Sequence, residues 1–291
     1  MSTNANISYI DKNGLNAELV RGDLWAGIDL SNCDFSHARP GYRGEAGANF
    51  SDCDLTDCIL SYCNLNRAWF AGAVLDHTDL NHAKLVETTF VNAVCNDGMD
   101  MTYANIEGAN FTSAKLIKAQ MNYSDLRGAN FTSACLNFAN FTGAKIDNAE
   151  FLMANLESCS FIRANCDGCN FAKTNLDGAD LHGAKLDRCD FSGASMKGVN
   201  LKQTRLERAI LVGADLDGCD LRDSYLSESD MIKANLRGVD FRGCLGMGYM
   251  CGANLKDAIF IKGTRLQGQN FRGATMPDGT LYTDIESWWE A

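Results

Sequence analysis

Hydrophobic and polar positions along this chain recur with a period of five. The unit is visible in Ala109-Asn110-Phe111-Thr112-Ser113 and again in Ala179-Asp180-Leu181-His182-Gly183: a small residue, a polar one, a large apolar one and two turn-like residues. From Met101 to Phe241 the large apolar slot returns at every fifth residue without a slip. We term that residue the centre and the small residue two before it the partner. Two residues apart is the strand period, so centre and partner point to the same side of a locally extended chain. A helix does not fit: five residues at ~100° each advance ~500°, and successive centres would wander round the axis instead of forming one stripe. The two remaining positions are often Gly, Ser, Asn or Asp, which suit tight turns. Each pentapeptide therefore predicts one short extended side followed by a corner.

The number of sides per coil follows from the aromatic residues. Phe occupies the centre at Phe50, Phe70 and Phe90, then at Phe111, Phe131, Phe151, Phe171 and Phe191, a superperiod of 20 residues with one extra residue between Cys95 and Met101. Leu211 and Met231 continue it, as do Met250 and Phe271 after a one-residue loss and a compensating gain. Four sides per coil result, with a Phe ladder along one wall. A second ladder (Phe141, Phe161, Phe241, Phe260) lies half a coil away, so the two aromatic walls are expected to face each other across the core. The Asn96-Asp97-Gly98 step absorbs the extra residue as a bulge or altered corner. Leu245-Gly246-Met247-Gly248-Tyr249 loses one, and Ile261-Lys262-Gly263 regains it. About 12 coils at ~4.8 Å, the ordinary strand spacing, give a rod of roughly 55–60 Å.

These residues resemble the pentapeptide-repeat proteins, whose consensus is Ala-(Asp/Asn)-Leu followed by two variable residues. The resemblance covers roughly residues 28 to 276. It implies an all-β, right-handed quadrilateral β-helix with centre and partner inside. The closing Met276-Pro277-Asp278-Gly279 resembles the end of many cyanobacterial members. The acidic quinolone-resistance members of the family imitate DNA and inhibit a topoisomerase. They resemble this chain in size and acidity, but they typically pair through a C-terminal helix, for which the short stretch after Gly279 leaves little room.

An open β-helix end exposes unpaired strand edges, so the ends are expected to be covered. Residues 1–27, which do not keep the period, read as an N-terminal cap, residues 28–276 as the β-helix, and residues 277–291, with Trp288 and Trp289, as a C-terminal cap. Between Phe35 and Phe50 the stretch 37–47 holds Pro40 and several glycines and reads as a protruding loop. Arg39, Tyr42 and Arg43 on that loop are candidate partner contacts, since binding residues concentrate on such loops.

Thirteen cysteines in a secreted chain would suggest disulfides, but nine of them (Cys33, Cys53, Cys58, Cys63, Cys159, Cys169, Cys189, Cys219, Cys244) fall in the partner slot otherwise held by Ala. There a cysteine acts as a small buried hydrophobe, and free thiols in such numbers fit a reducing cytosol. The N-terminus lacks an apolar signal core and no apolar run approaches a membrane span, so a cytoplasmic protein with no membrane partner is expected. Asn-Phe-Thr at Asn110, Asn130 and Asn140 matches a glycosylation sequon, yet the repeat generates it automatically.

Candidate chemistry is sparse. Cys159, Cys166 and Cys169 point into an apolar core by register, without the fourth ligand a structural zinc site needs. His37, His77, His82 and His182 fall at loop or outward positions with no second ligand at metal spacing. No nucleophile–base pair can be argued, so neither an enzyme nor a metal or cofactor protein is expected.

The outer faces hold more. With a net charge of −11, from 26 basic and 37 acidic residues, the chain is not expected to bind nucleic acid directly. Asp147, Asp167, Asp187 and Glu207 stack at coil spacing as a candidate acidic stripe, relieved by Lys145, Lys185, Arg205, Arg188 and Arg208 on the same wall. On the outside of the Phe wall recur Trp69, Ala71, Val91, Leu152, Met153, Ala172, Ile210, Val212 and Ile232, an apolar set of the kind that marks an interface. The sequence thus points to a non-catalytic scaffold that binds other proteins, or itself as a homodimer, with a DNA-mimicking inhibitor of gyrase as the alternative.

Overall fold

The computed structural model describes residues 48–260 and 271–282. Within them the chain is a stack of square coils. Asn110 bridges Asn130, Asn130 bridges Glu150 and Glu150 bridges Asn170, all parallel and all 20 residues apart. The same step recurs on the other three sides, as in Cys135↔Asn155, Asn140↔Ser160 and Lys145↔Asn165. Each side is so short that most pairings are single bridges. Among the described residues only β1 (Val94–Cys95) and β2 (Lys115–Leu116) extend to two residues.

In the pentapeptide around Phe131 each backbone N–H finds an acceptor. The Phe131 N–H donates to Glu150 O (2.6 Å) and the Ser133 N–H to Leu152 O (2.9 Å), both one coil on. The Asn130 N–H donates to Ala109 O one coil back (2.9 Å), and the Ala134 N–H closes the corner on Phe131 O (3.0 Å). That leaves Thr132, whose N–H donates to the Asn130 side chain at 2.9 Å. The Asn or Asp before the centre is thus the fifth acceptor, an Asx turn that completes what the ladder leaves open. Thr56 on Asp54, Ser192 on Asp190 and Ile232 on Asp230 repeat the contact. The second residue after the centre turns the corner at φ near +60° in non-glycine residues such as Ser133 (φ 58) and Tyr123 (φ 59).

Centres and partners fill the inside. Phe131, Phe151 and Phe171 have no solvent exposure, and the alanines before them are likewise buried. Consecutive Phe rings stack at 4.6–5.0 Å from Phe50 to Phe191. The opposite ladder meets them edge-on, with Phe141 at 6.0 Å and 84° from Phe131 and Phe161 at 5.8 Å and 89° from Phe171. These spacings are those favoured by the aromatic quadrupole.

The register shifts where the hydrophobic pattern does. Val74 bridges Val94 at 20 residues, but Asp79 bridges Asp100 at 21, with Gly98 (φ 67) in the corner that takes up the extra residue. Asp230 bridges Tyr249 at 19, the loss expected in 245–249, and there Gly246 occupies the centre slot while Met247 is buried nearby. Asn254 bridges Thr275 at 21, so the residue is regained by then, although Ile261-Lys262-Gly263 lie outside the described residues. At the far end Gly279 (φ 86) turns the chain back, Leu281 pairs antiparallel with Thr275, and Tyr282 packs on Phe271 at 5.7 Å. The proposed segment 1–27, the 37–47 loop and the two C-terminal tryptophans lie outside the described residues.

Candidate interaction surface

The corners and bridges sort the exterior into columns, each residue 19 to 21 positions from the next. On the Phe wall the column before the centres runs through Trp69, Thr89, Asn110, Asn130, Glu150, Asn170, Asp190 and Ile210. Its apolar members therefore do not form one stripe. Trp69 (37% exposed) lies with Ala71 and the half-buried Val91 near one end. Met153 (60%) lies with Leu152 and Ala172 in the middle, and Ile210 (42%) with Val212 and Ile232 toward the other end. Thr112 and Thr132 separate the first island from the second; Asp190 and Ser192 separate the second from the third. Leu152, Val212 and Ile232 are half-buried. Arg39, Tyr42 and Arg43 lie outside the described residues.

Asp147, Asp167, Asp187 and Glu207 do stack in consecutive coils, but on a wall rich in bases. The column before its centres passes through Lys84, Lys145, Lys185 and Arg205. Arg205 reaches Asp187 at 3.1 Å and Glu207 at 3.7 Å, and Arg127 reaches Glu107 at 3.2 Å. Asp187 also accepts the Glu207 N–H at 3.0 Å, taking the Asx role that Arg205 cannot fill. Asp147 accepts from the Asn165 amide at 2.6 Å. Asp167 alone has a buried carboxylate oxygen with no hydrogen-bond partner, and burial, then the charges of Asp187 and Asp147, raise its pKa.

A feature that the sequence reading passed over lies at one corner. The rings of Tyr62 and His82 stack at 4.8 Å, His82 and Tyr103 at 5.0 Å, and Tyr103 and Tyr123 at 5.3 Å. All four sit at the left-handed corner position, two after a centre. Gly143 follows in the same column, with the Tyr123 ring over it. The signal was present as aromatic residues at coil spacing, masked by the slip at Gly98 and by the variability of corner residues.

The thiols are sunk into the core. Cys159, Cys169, Cys189 and Cys219 donate to the carbonyls of Leu136, Ile146, Cys166 and Met196 at 2.8–3.0 Å. The hydroxyls of Thr78 and Ser224 make the same contact, so the slot that Ala fills elsewhere also takes a small polar side chain bonded to that carbonyl. Burial raises Cys159, and burial followed by Asp76 pushes Cys95 up to about 12. Among the described residues no group of three or more His, Cys, Asp or Glu is arranged to hold a metal ion, and no helix is long and apolar enough to cross a membrane.

Eight copies of the pentapeptide repeat match the chain between residues 48 and 245, with a gap only at 86–97, the stretch that contains the first register slip. The chain belongs to the pentapeptide-repeat family. Pentapeptide-repeat proteins form right-handed β-helices and are in general structural or interaction proteins. No curated protein shows significant similarity to the chain.

Among solved pentapeptide-repeat structures, the chain is similar to HetL, a protein involved in heterocyst differentiation regulation in the cyanobacterium Nostoc, at 25% identity over 89% of this chain and 93% of HetL (TM-score 0.32). It is similar to a thylakoid-lumen protein of Arabidopsis thaliana at 28% identity over 34% of this chain and 69% of that one (TM-score 0.33). It is also similar to QnrB1, a plasmid-mediated fluoroquinolone resistance protein, at 16% identity over 77% of this chain and 90% of QnrB1 (TM-score 0.36).

Proposed function

We propose that this pentapeptide-repeat protein is a non-catalytic scaffold that binds protein partners through its outer walls. The observation that carries this reading is the closed core. Centres and partners from Phe50 to Phe241 are buried, so the side chains able to meet another molecule are those of the exterior columns. The apolar islands around Met153 and around Ile210, Val212 and Ile232 are the favoured contacts, with Trp69 and Val91 as a third and Arg39, Tyr42 and Arg43 on the 37–47 loop as an accessory. On this reading the rod has about 12 coils at ~4.8 Å, is capped by residues 1–27 and 277–291, works in a reducing cytosol and partners other proteins or a second copy of itself.

The test is replacement of Leu152, Val212 and Ile232 by Lys. Loss of a co-purifying partner, or of self-association in sedimentation, supports the scaffold; unchanged binding counts against the Phe-wall contacts. The alternative, a DNA mimic acting on gyrase, draws on the net charge of −11. Two acids of its proposed stripe (Asp147, Asp167, Asp187, Glu207), Asp187 and Glu207, are paired with Arg205, which favours the scaffold. A supercoiling assay separates the two, since a mimic inhibits gyrase at micromolar protein and a scaffold of other pathways does not.

A further inference from the structure

We propose that Tyr103 and Tyr123 form an oxidative modification site, at which a one-electron oxidant couples the two phenols into an intramolecular dityrosine that staples adjacent coils. Three observations converge on this pair. Their rings are parallel to within 13° with centroids 5.3 Å apart, which holds the two phenols within reach of each other on adjacent coils, a rotation of the side chains bringing their ortho carbons together. They are 52% and 53% exposed, so an oxidant reaches them from solvent. They are also the only stacked tyrosine pair among the described residues. The neighbour of Tyr62 is His82, Gly143 follows Tyr123, and Tyr225 and Tyr249 stand in other columns.

The surroundings hold the pair in place. The Tyr103 N–H donates to Asn122 O (3.2 Å) and the Tyr123 N–H to Thr142 O (2.9 Å), so both backbones are fixed by the ladder. His82 covers the far side of Tyr103 at 5.0 Å. On the other side, Gly143 leaves room for the Tyr123 ring where a Cβ would come within 2.7 Å of it.

The step balances as follows. Each phenol gives up one electron and its hydroxyl proton to become a phenoxyl radical, with spin shared by the ring carbons ortho to oxygen. Two such carbons join in one C–C bond, and the hydrogens they carried move to the phenolic oxygens. Two tyrosines have then lost two electrons and two protons. A haem peroxidase passes these to hydrogen peroxide, which leaves as two waters. The coil spacing keeps the radicals in contact, so intramolecular coupling outruns encounter between separate molecules in dilute solution.

The experiment treats the full chain at low micromolar concentration with a plant haem peroxidase and hydrogen peroxide. Dityrosine fluorescence and peptide mass spectrometry are the readouts. The expected result is a monomeric product whose cross-linked peptide joins Tyr103 to Tyr123 and weighs two hydrogens less than its parts. Tyr103→Phe and Tyr123→Phe each keep the ring stack and are expected to reduce the monomeric product at least tenfold. Tyr62→Phe, Tyr225→Phe and Tyr249→Phe should leave it unchanged. Circular dichroism establishes that the phenylalanine variants are folded. The proposal is overturned if no dityrosine forms, if the product is only an intermolecular dimer, or if Tyr103→Phe retains the yield.

Discussion

The rings of Phe151 and Phe131 stack in consecutive coils, with centroids 4.9 Å apart and planes 5° from parallel. Phe151 stacks equally on Phe171 at 4.9 Å and meets Phe141 and Phe161 edge-on at 5.9 and 6.0 Å. Four aromatic neighbours around a ring with no exposure leave nothing to refill its space. Phe151→Ala is therefore expected to cost about 3–5 kcal/mol, read as a lower urea midpoint. Because each coil contacts only its neighbours, the unfolding transition should also broaden or split. A loss under about 1 kcal/mol would mean that the ladder is not the source of stability.

Asn130 contributes differently, through the one backbone N–H the coil cannot satisfy by itself. Its side chain accepts from Thr132 at 2.9 Å. Asn130→Ala should cost about 0.5–1.5 kcal/mol, while Asn130→Asp, which keeps an acceptor, should cost less. Equal losses in the two variants would show that the Asx contact is not what the position requires.

How far these features could be read beforehand depends on what each slot demands. The centre slot demands size and apolarity, so Phe131 and Phe151 announced themselves by recurrence, and the slip at Asn96-Asp97-Gly98 showed as a break in that rhythm. The slot before the centre demands an acceptor. Asn130 and Asp190 were visible there as a polar preference, but their hydrogen-bonding role needed the ladder to be drawn. Several carboxylates that make the chain acidic are such acceptors (Asp54, Asp190, Asp230), which is why net charge says little here about a negative partner surface. Corner residues are free to vary, and Tyr62, His82, Tyr103 and Tyr123 were therefore not legible as a unit. The apolar residues on the Phe wall recur in the sequence, but that they fall into islands shows only in the coil register, which sets Thr112, Thr132, Asp190 and Ser192 between them.

The buried thiols predict a loss of stability at high pH. Burial, as the largest cause, pushes Cys219 up from 9.0 to about 12. A thiol that ionises later in the folded chain than in the unfolded one contributes stability that is whole below pH 9 and is lost as pH rises toward 12. Each such thiol steepens the decline by up to about 1.4 kcal/mol per pH unit. Since Ala fills the partner slot elsewhere, Cys219→Ala should fold and show a shallower decline between pH 9 and pH 12. An unchanged slope would show that the thiol ionises with equal ease in both states.

Gly143 and Gly128 offer a paired test of the corner. Both have φ +65, so any side chain there carries the same left-handed backbone cost. At Gly128 an added Cβ meets nothing within 4 Å, whereas at Gly143 it comes within 2.7 Å of Tyr123 Cε1. Gly128→Ala should cost about 1–2 kcal/mol at most. Gly143→Ala should cost more and should also shift the tyrosine near-ultraviolet circular dichroism as the Tyr123 ring moves. Equal costs with unchanged dichroism would mean that the ring is free to yield.

Asp167 is the acid whose charge the fold opposes. Burial first, then Asp187 and Asp147, raise its pKa, with Arg188 only partly offsetting them. A carboxyl raised in the folded state contributes stability below its unfolded pKa of ~3.9, and that contribution is lost as pH climbs through the folded value. Neutral solution is thus where Asp167 costs the rod most. Asp167→Asn removes the charge and keeps the shape, so its urea midpoint should exceed that of the parent at pH 7 and approach it near pH 3, where both side chains are neutral. A lower midpoint at pH 7 would mean that Arg188 outweighs the two carboxylates, making Asp167 half of an ion pair and no longer a repelled member of the stripe.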